Sequence, residues 1–221
     1  MKIAVIGSAC TGKSTYIKDF IEKWNMYKLC ERPRYTDLIK EKGLKLNEDR
    51  NEDSQLIILN SLIDQLTNTP KNSNTIFDRS VLDNLVYTLW LNAKGKVSNA
   101  FVKQTILLVK QSLVFYDILF FIPITKQSPI VFGQKENRSV SEEFRSEIDN
   151  IFKSLVNQYN KNETTFYPFD DKLGCPAIIE IFGDRKSRIS LTELYIGKNG
   201  KVVSESDNLL MPGDPLLTDF T

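Results

Sequence analysis

Short apolar runs of four to six residues alternate along the chain with longer stretches whose apolar residues recur at every third and fourth position. Runs of that length, apolar at successive positions, suit strands buried on both faces, and the intervening stretches are long enough to cross back over a parallel sheet. The pattern predicts strands at Lys2 to Ile6, Tyr27 to Cys30, Thr75 to Phe77 with Asp78 at its end, Ile118 to Ile122 and Ala177 to Phe182. Helices are predicted at Lys13 to Trp24, Ser54 to Leu66, Val81 to Leu91, Asn99 to Phe115 and Ser141 to Tyr159. In the last of these, Ser141 is placed to cap the first amides, and Phe144, Ile148, Phe152, Leu155 and Tyr159 fall on one apolar stripe. Strands alternating with helices in this order predict an α/β fold: a three-layer sandwich around a central five-stranded parallel sheet.

Two stretches break the alternation. Residues 125 to 140 are polar, carry Pro129 and Gly133, and separate a strand from a strong helix, so they predict an exposed loop in the place of a lid. Lys198-Asn199-Gly200-Lys201 signals a turn, and Ser206 to Thr221 has little apolar periodicity and is punctuated by Pro212, Gly213 and Pro215. The expected organisation is therefore a main domain over residues 1 to 196, with the lid inside it, and a turn and tail over 197 to 221.

Composition narrows the chemistry. With 221 residues and 41% hydrophobic content the chain can bury one sizeable core. Lys and Arg number 29 against 28 Asp and Glu, so no overall basic field gathers nucleic acid, and a polynucleotide partner is left without support rather than excluded. Histidine is absent, which removes the commonest general base and the commonest zinc ligand and leaves carboxylates as proton acceptors. The three cysteines, Cys10, Cys30 and Cys175, lack CxxC spacing and suit a reducing cytoplasm. The opening run Ile3-Ala4-Val5-Ile6 is too short for a signal-peptide core, and no run reaches the roughly 20 apolar residues of a membrane-spanning helix, so a membrane partner is not expected.

The chemistry-bearing motif is Gly7-Ser8-Ala9-Cys10-Thr11-Gly12-Lys13-Ser14-Thr15, a glycine, four residues, Gly-Lys and then Ser, set between a predicted strand and a predicted helix. Glycines let the backbone amides turn inward as a nest for phosphate oxygens at a helix N-terminus. Lys13 then reaches the β- and γ-phosphates of ATP or GTP as a point charge, and Ser14 supplies a hydroxyl for the bridging Mg²⁺. Thr15 caps or packs. Cys10 is either a thiol sensitised by the helix N-terminus or a small space-filling side chain. A second constellation, Asp78-Arg79-Ser80, closes the third strand, and ligands of open α/β sheets lie at the carboxyl ends of strands. Asp78 is thus a candidate to order Mg²⁺ or accept a proton, with Arg79 beside it, unless the two form a solvated strand-end pair.

A P-loop, a strand-end Asp-Arg-Ser, and a helix bearing Tyr87 nine residues after Asp78 resemble the nucleoside and nucleotide kinases, among them the thymidylate kinases and the deoxynucleoside kinases. The chain also resembles the small ATPase/kinase domains related to the nicotinamide ribonucleoside kinase domain, over about residues 1 to 196. The resemblance implies acceptor contacts at Glu31, Arg34, Gln55, Arg79 and Tyr87. Arg138 and Arg145 match lid arginines that fold over the transferring phosphoryl group, and the segment Gly183 to Ile189 matches a turn that wraps adenine, with Arg185 stacking on the base. Plain readings stand beside these: a solvated loop at Glu31 and Arg34, a surface glutamine at Gln55, and a pair between Arg145 and Asp149. The acceptor's identity does not transfer, because Val81-Leu82 after Ser80 is no known substrate signature.

The activity this implies is Mg²⁺- and ATP-dependent transfer of a γ-phosphoryl group to a nucleoside or nucleotide, a nucleoside monophosphate first among them. Lys13, Asp78, Arg79, Arg138 and Arg145 would do the catalytic work, and Ser14 and Asp78 would hold the metal. Two other enzyme readings share the motifs: a P-loop ATPase driving a protein or nucleic-acid partner, and a kinase of a polynucleotide end or modified DNA base. The absent Asn-Lys-x-Asp guanine motif and the arginine-bearing lid weigh against a switch module. A homodimer is left open.

Overall fold

The computed structural model describes residues 1–44, 50–126, 141–161 and 176–203. Five strands, β1 (Lys2–Ile6), β2 (Lys28–Leu29), β3 (Thr75–Asp78), β4 (Ile118–Phe121) and β5 (Ala177–Glu180), make one sheet in the order β2-β3-β1-β4-β5. Every neighbouring pair is parallel. Seven helices among the described residues connect and cover them: α1 (Lys13–Lys23), α2 (Tyr35–Glu41), α3 (Glu52–Asn68), α4 (Val81–Ala93), α5 (Asn99–Leu113), α6 (Glu142–Lys161) and α7 (Arg185–Glu193).

The apolar runs put each strand in its place. All residues of β1 and β4 are buried, as central strands covered on both faces must be, whereas both residues of the edge strand β2 are exposed. Successive side chains on a strand point to opposite faces, and here they feed two separate cores. Ala4, Ile6, Phe77, Leu119 and Phe121 pack under α3, α4, α5 and α6. Ile3, Val5, Ile76, Ile118 and Phe120 pack with Tyr16, Phe20 and Trp24 of α1 on the other side. The three-layer α/β sandwich is the outcome, and among the described residues no helix is long and apolar enough to cross a membrane.

Two elements escape the periodic pattern. Helix α2 has seven residues and buries only Ile39, which is too little for a visible apolar stripe. The segment Gly183 to Ile189, read as a turn, enters α7 instead: Asp184 is its N-cap and accepts from the Ser187 amide at 2.8 Å. That helix has one buried residue, Thr192, so apolar periodicity could not reveal it. The expected turn near Asn199 is present, with the Gly200 amide donating to the Gly197 carbonyl at 2.9 Å and Gly200 at φ 71. It is held by Trp24, whose indole donates to the Gly197 carbonyl at 2.8 Å, and by Tyr27, whose hydroxyl donates to the Gly200 carbonyl at 2.6 Å. Nearly all of the expected lid, Arg138 in it, and the tail from residue 204 lie outside the described residues.

Candidate active site

The loop between β1 and α1 is shaped by three left-handed residues, Gly7 (φ 138), Cys10 (φ 61) and Gly12 (φ 86). A Cβ on Gly7 would lie 2.6 Å from the carbonyl oxygen of Ile122, which is backbone following the neighbouring strand β4 and has no room to yield. Gly7→Ala is therefore expected to destabilise the protein by about 3 kcal/mol, lowering Tm by roughly 6–12 °C. The matching change at Gly12 meets only the movable guanidinium of Arg188 and should lower Tm less; equal losses in thermal unfolding would disprove this account. Gly12 caps α1 without a side-chain hydrogen bond, and no acidic residue occupies the first turn, so the amides and positive end of the dipole face the loop.

Lys13, the first residue of α1, is buried and turns back into the loop, donating to the Gly7 carbonyl at 2.9 Å and to the Ser8 carbonyl. Burial, and then the charge of Arg79, push its amine down to about 7 against the pull of Asp83 and Asp78. A polyphosphate placed beside the amine reverses that shift. Nucleotide binding at pH 8 should accordingly take up protons, about one per site at most, and should strengthen as pH falls from 9 toward 7. Calorimetry in buffers of different ionisation enthalpy reads the number directly; proton release would overturn the reasoning.

Strand register brings the second motif to the loop. Val5 pairs with Asp78, so the carboxylate emerges beside the P-loop, and Ser14 Oγ donates to Asp78 Oδ2 at 3.2 Å. A hydroxyl and a carboxylate are the hard oxygen ligands that Mg²⁺ prefers, and this pair fits that metal with water and phosphate completing the shell. The described residues contain no cluster of three or more acidic, cysteine or histidine side chains able to hold an ion by themselves. Arg79 follows in a left-handed conformation, φ 88, with its amide bonded to the Val5 carbonyl at 3.0 Å. A non-glycine residue there stores strain, and the strain aims the guanidinium inward to Asp83 Oδ1 at 3.4 Å and over the Tyr87 ring at 5.8 Å.

Lys13, Ser14, Asp78 and Arg79 line a cleft of about 190 Å³ together with Arg32 and Tyr35. Arg145 of α6 is buried, and its carbonyl accepts from Ser8 Oγ at 2.8 Å, which fixes the start of α6 against the P-loop. Asp149 is engaged elsewhere, with Lys153 at 2.7 Å and the Ile124 amide at 3.0 Å. Tyr87 is buried in the α4 face. Gln55 is no surface glutamine: it is fully buried, and Asn84 Nδ2 donates to its carbonyl at 3.0 Å and its Oε1 at 2.9 Å. The remaining polar atoms of that pair, Gln55 Nε2 and Asn84 Oδ1, are buried without hydrogen-bond partners.

Three placements differ from the sequence reading. Glu31 and Arg34 are exposed, and the neighbours Arg32 and Pro33 face the cleft in their stead. Arg185 points away from the P-loop to Asp19, at 2.9 Å and 2.5 Å, and Arg188 takes the place beside it, donating to the Thr11 carbonyl at 2.9 Å and the Gly183 carbonyl at 3.0 Å. Helical phase, which a turn does not impose, sets Arg188 rather than Arg185 against the loop, and the cap at Asp184 is the local signal for that helix. Arg50 was missed altogether. Its guanidinium lies 5.0 Å from the Tyr87 ring, on the ring that Arg79 also approaches, a contact no local pattern announces.

This is the fold of the P-loop nucleoside kinase-like proteins, carrying a phosphate-binding loop at the carboxyl edge of its sheet. Residues 2–166 match the family described as AAA domain, and the chain belongs to that family. No curated protein matches it. Among solved structures, a deoxyadenosine kinase from M. mycoides with the products dCMP and dCDP bound is similar at TM-score 0.60 and 19% identity, covering 87% of this chain and 96% of that one. The same kinase with dATP bound matches at TM-score 0.57 and 20% identity, over 87% of this chain and 97% of that one. A NadR protein in complex with NAD and AMP-PNP matches at TM-score 0.55 and 15% identity, over 92% of this chain and 50% of that one.

Proposed function

We propose that the protein is a kinase that transfers the γ-phosphoryl group of ATP, with Mg²⁺, to a nucleoside or nucleotide, a nucleoside monophosphate being the first choice. The observation that carries this is the cleft lined together by P-loop Lys13 and Ser14, strand-end Asp78, strained Arg79, Arg32 and Tyr35. Phosphoryl transfer asks little covalent chemistry of a protein and much positioning and charge neutralisation, and this cleft gathers three cations, Lys13, Arg32 and Arg79, with an oxygen pair suited to a metal. The similar deoxyadenosine kinase structures, with dCMP and dCDP or dATP bound, and the NadR structure, with NAD and AMP-PNP, support the reading.

In the mechanism, the loop amides and Lys13 would hold the polyphosphate, and Ser14 and Asp78 would hold the metal, which would supply positive charge against the phosphate oxygens. Arg79 faces the acceptor and Arg145 backs the loop from α6; Arg138 would complete the clamp from the lid. Asp78 is the carboxylate among the described residues that line the cleft and so also the candidate proton acceptor. Gln55 with Asn84 offers the buried donor and acceptor that a base edge requires. Arg188 is the arginine adjacent to the loop for the adenine side.

The deciding experiment supplies Mg²⁺ and ATP with a panel of nucleosides, nucleoside monophosphates, nicotinamide riboside and oligonucleotides, and identifies products by mass spectrometry. A phosphorylated product from one class supports the kinase and names its acceptor. Release of free phosphate independent of any acceptor would replace this reading with that of an ATPase.

A further inference from the structure

Asp78 and Arg32 are unequally exposed, at 6% and 61% of their side chains. One nitrogen, Arg32 Nη2, forms an ion pair with Asp78 Oδ2 and donates to Ser14 Oγ at 3.3 Å, while Ser14 Oγ donates to that same Oδ2 at 3.2 Å. A single guanidinium nitrogen thus lies on both oxygens that suit the metal. Two positive groups cannot share those lone pairs, because each lowers the field the other needs.

We propose that Arg32 is a tethered cation that holds the Ser14 and Asp78 oxygens until Mg²⁺ takes them, and that metal-nucleotide binding releases this arginine into the acceptor cleft. The inference rests on the kinase reading and adds a coupling between its two sites.

The place of Arg32 in the chain suits such an exchange. It sits between β2 and α2, outside any helix or strand, followed by Pro33, which donates no backbone hydrogen bond. The hydrogen bonds its side chain makes go to Ser14 and Asp78, so letting go gives up one ion pair on an exposed arm rather than a packed contact. Its guanidinium already borders the cleft with Tyr35 and Arg79, so a short swing presents it to an anionic acceptor. Because coupling is reciprocal, an acceptor that captures Arg32 must also ease entry of the metal. Without the arginine, Asp78 would stand uncompensated between turnovers and the two sites would load independently.

The test titrates Mg²⁺ into protein and a fluorescent, non-hydrolysable ATP analogue, for the wild type, Arg32→Ala and Arg32→Lys. Removing the competing cation should lower the Mg²⁺ concentration for half-maximal tight binding by about three- to tenfold in Arg32→Ala, and Arg32→Lys should stay near the wild type. An unchanged or raised midpoint in Arg32→Ala overturns the proposal. Weaker binding in EDTA with an unmoved midpoint also overturns it, since Arg32 would then be a phosphate ligand. If the wild type binds no nucleotide with or without metal, the kinase reading itself fails, and that result is separate from a wild type that binds normally while the variants show no shift.

Discussion

Lys13→Ala is expected to lower kcat about 10³-fold or more while leaving Tm within about 3 °C of the wild type. On the kinase reading the loop around this amine would cradle phosphate, and the amine would act where charge develops during transfer. The fold depends on it little, since burial already pushes the group toward neutrality and its acceptors are loop carbonyls rather than sheet partners. The same variant should lose the proton uptake on nucleotide binding that Lys13 produces at pH 8. Steady-state kinetics, thermal unfolding and calorimetry separate these effects. Full turnover in Lys13→Ala would remove the P-loop from the mechanism.

Asp78→Asn should be nearly as damaging, with kcat reduced about 10²-fold and the Mg²⁺ concentration needed for activity raised. Asparagine keeps the shape and the hydrogen bond from Ser14 but withdraws the negative charge that a divalent cation needs. It also withdraws the charge that Arg32 pairs with, so Arg32→Ala added to Asp78→Asn should change the Mg²⁺ midpoint little beyond Asp78→Asn by itself. Asp78 exerts its effect through a carboxylate aligned by strand pairing with Val5. A variant with wild-type kcat and Mg²⁺ dependence would leave the pair with Arg32 as a surface contact and nothing more.

The similar solved structures cover most of this chain at 13–20% identity, a level at which fold persists while side chains of the acceptor cleft do not carry over. The cleft therefore has to be read from its own residues. Outside its lining, Gln55 with Asn84 is a buried amide pair with an unused donor and an unused acceptor.

Much was legible in the chain before any coordinates. Apolar runs a few residues long placed the central strands, since those of a parallel sheet must be apolar on both faces, and the Gly-Lys-Ser motif located the loop that joins the first strand to the first helix, where Gly7 and Gly12 take up left-handed backbone. Both signals are local: they depend on neighbours in sequence. The short edge strand, helix α2 and helix α7 were blurred or missed because each buries little, and periodicity reports only burial. What tertiary structure decided was the company kept by side chains far apart in sequence. Strand register set Asp78 beside Ser14, 64 residues away, a crossover brought Arg32 onto that pair, and helical phase chose Arg188 over Arg185 for the loop. No window of sequence contains those distances, because they are set by how the sheet orders its strands and how each helix is rotated on its face.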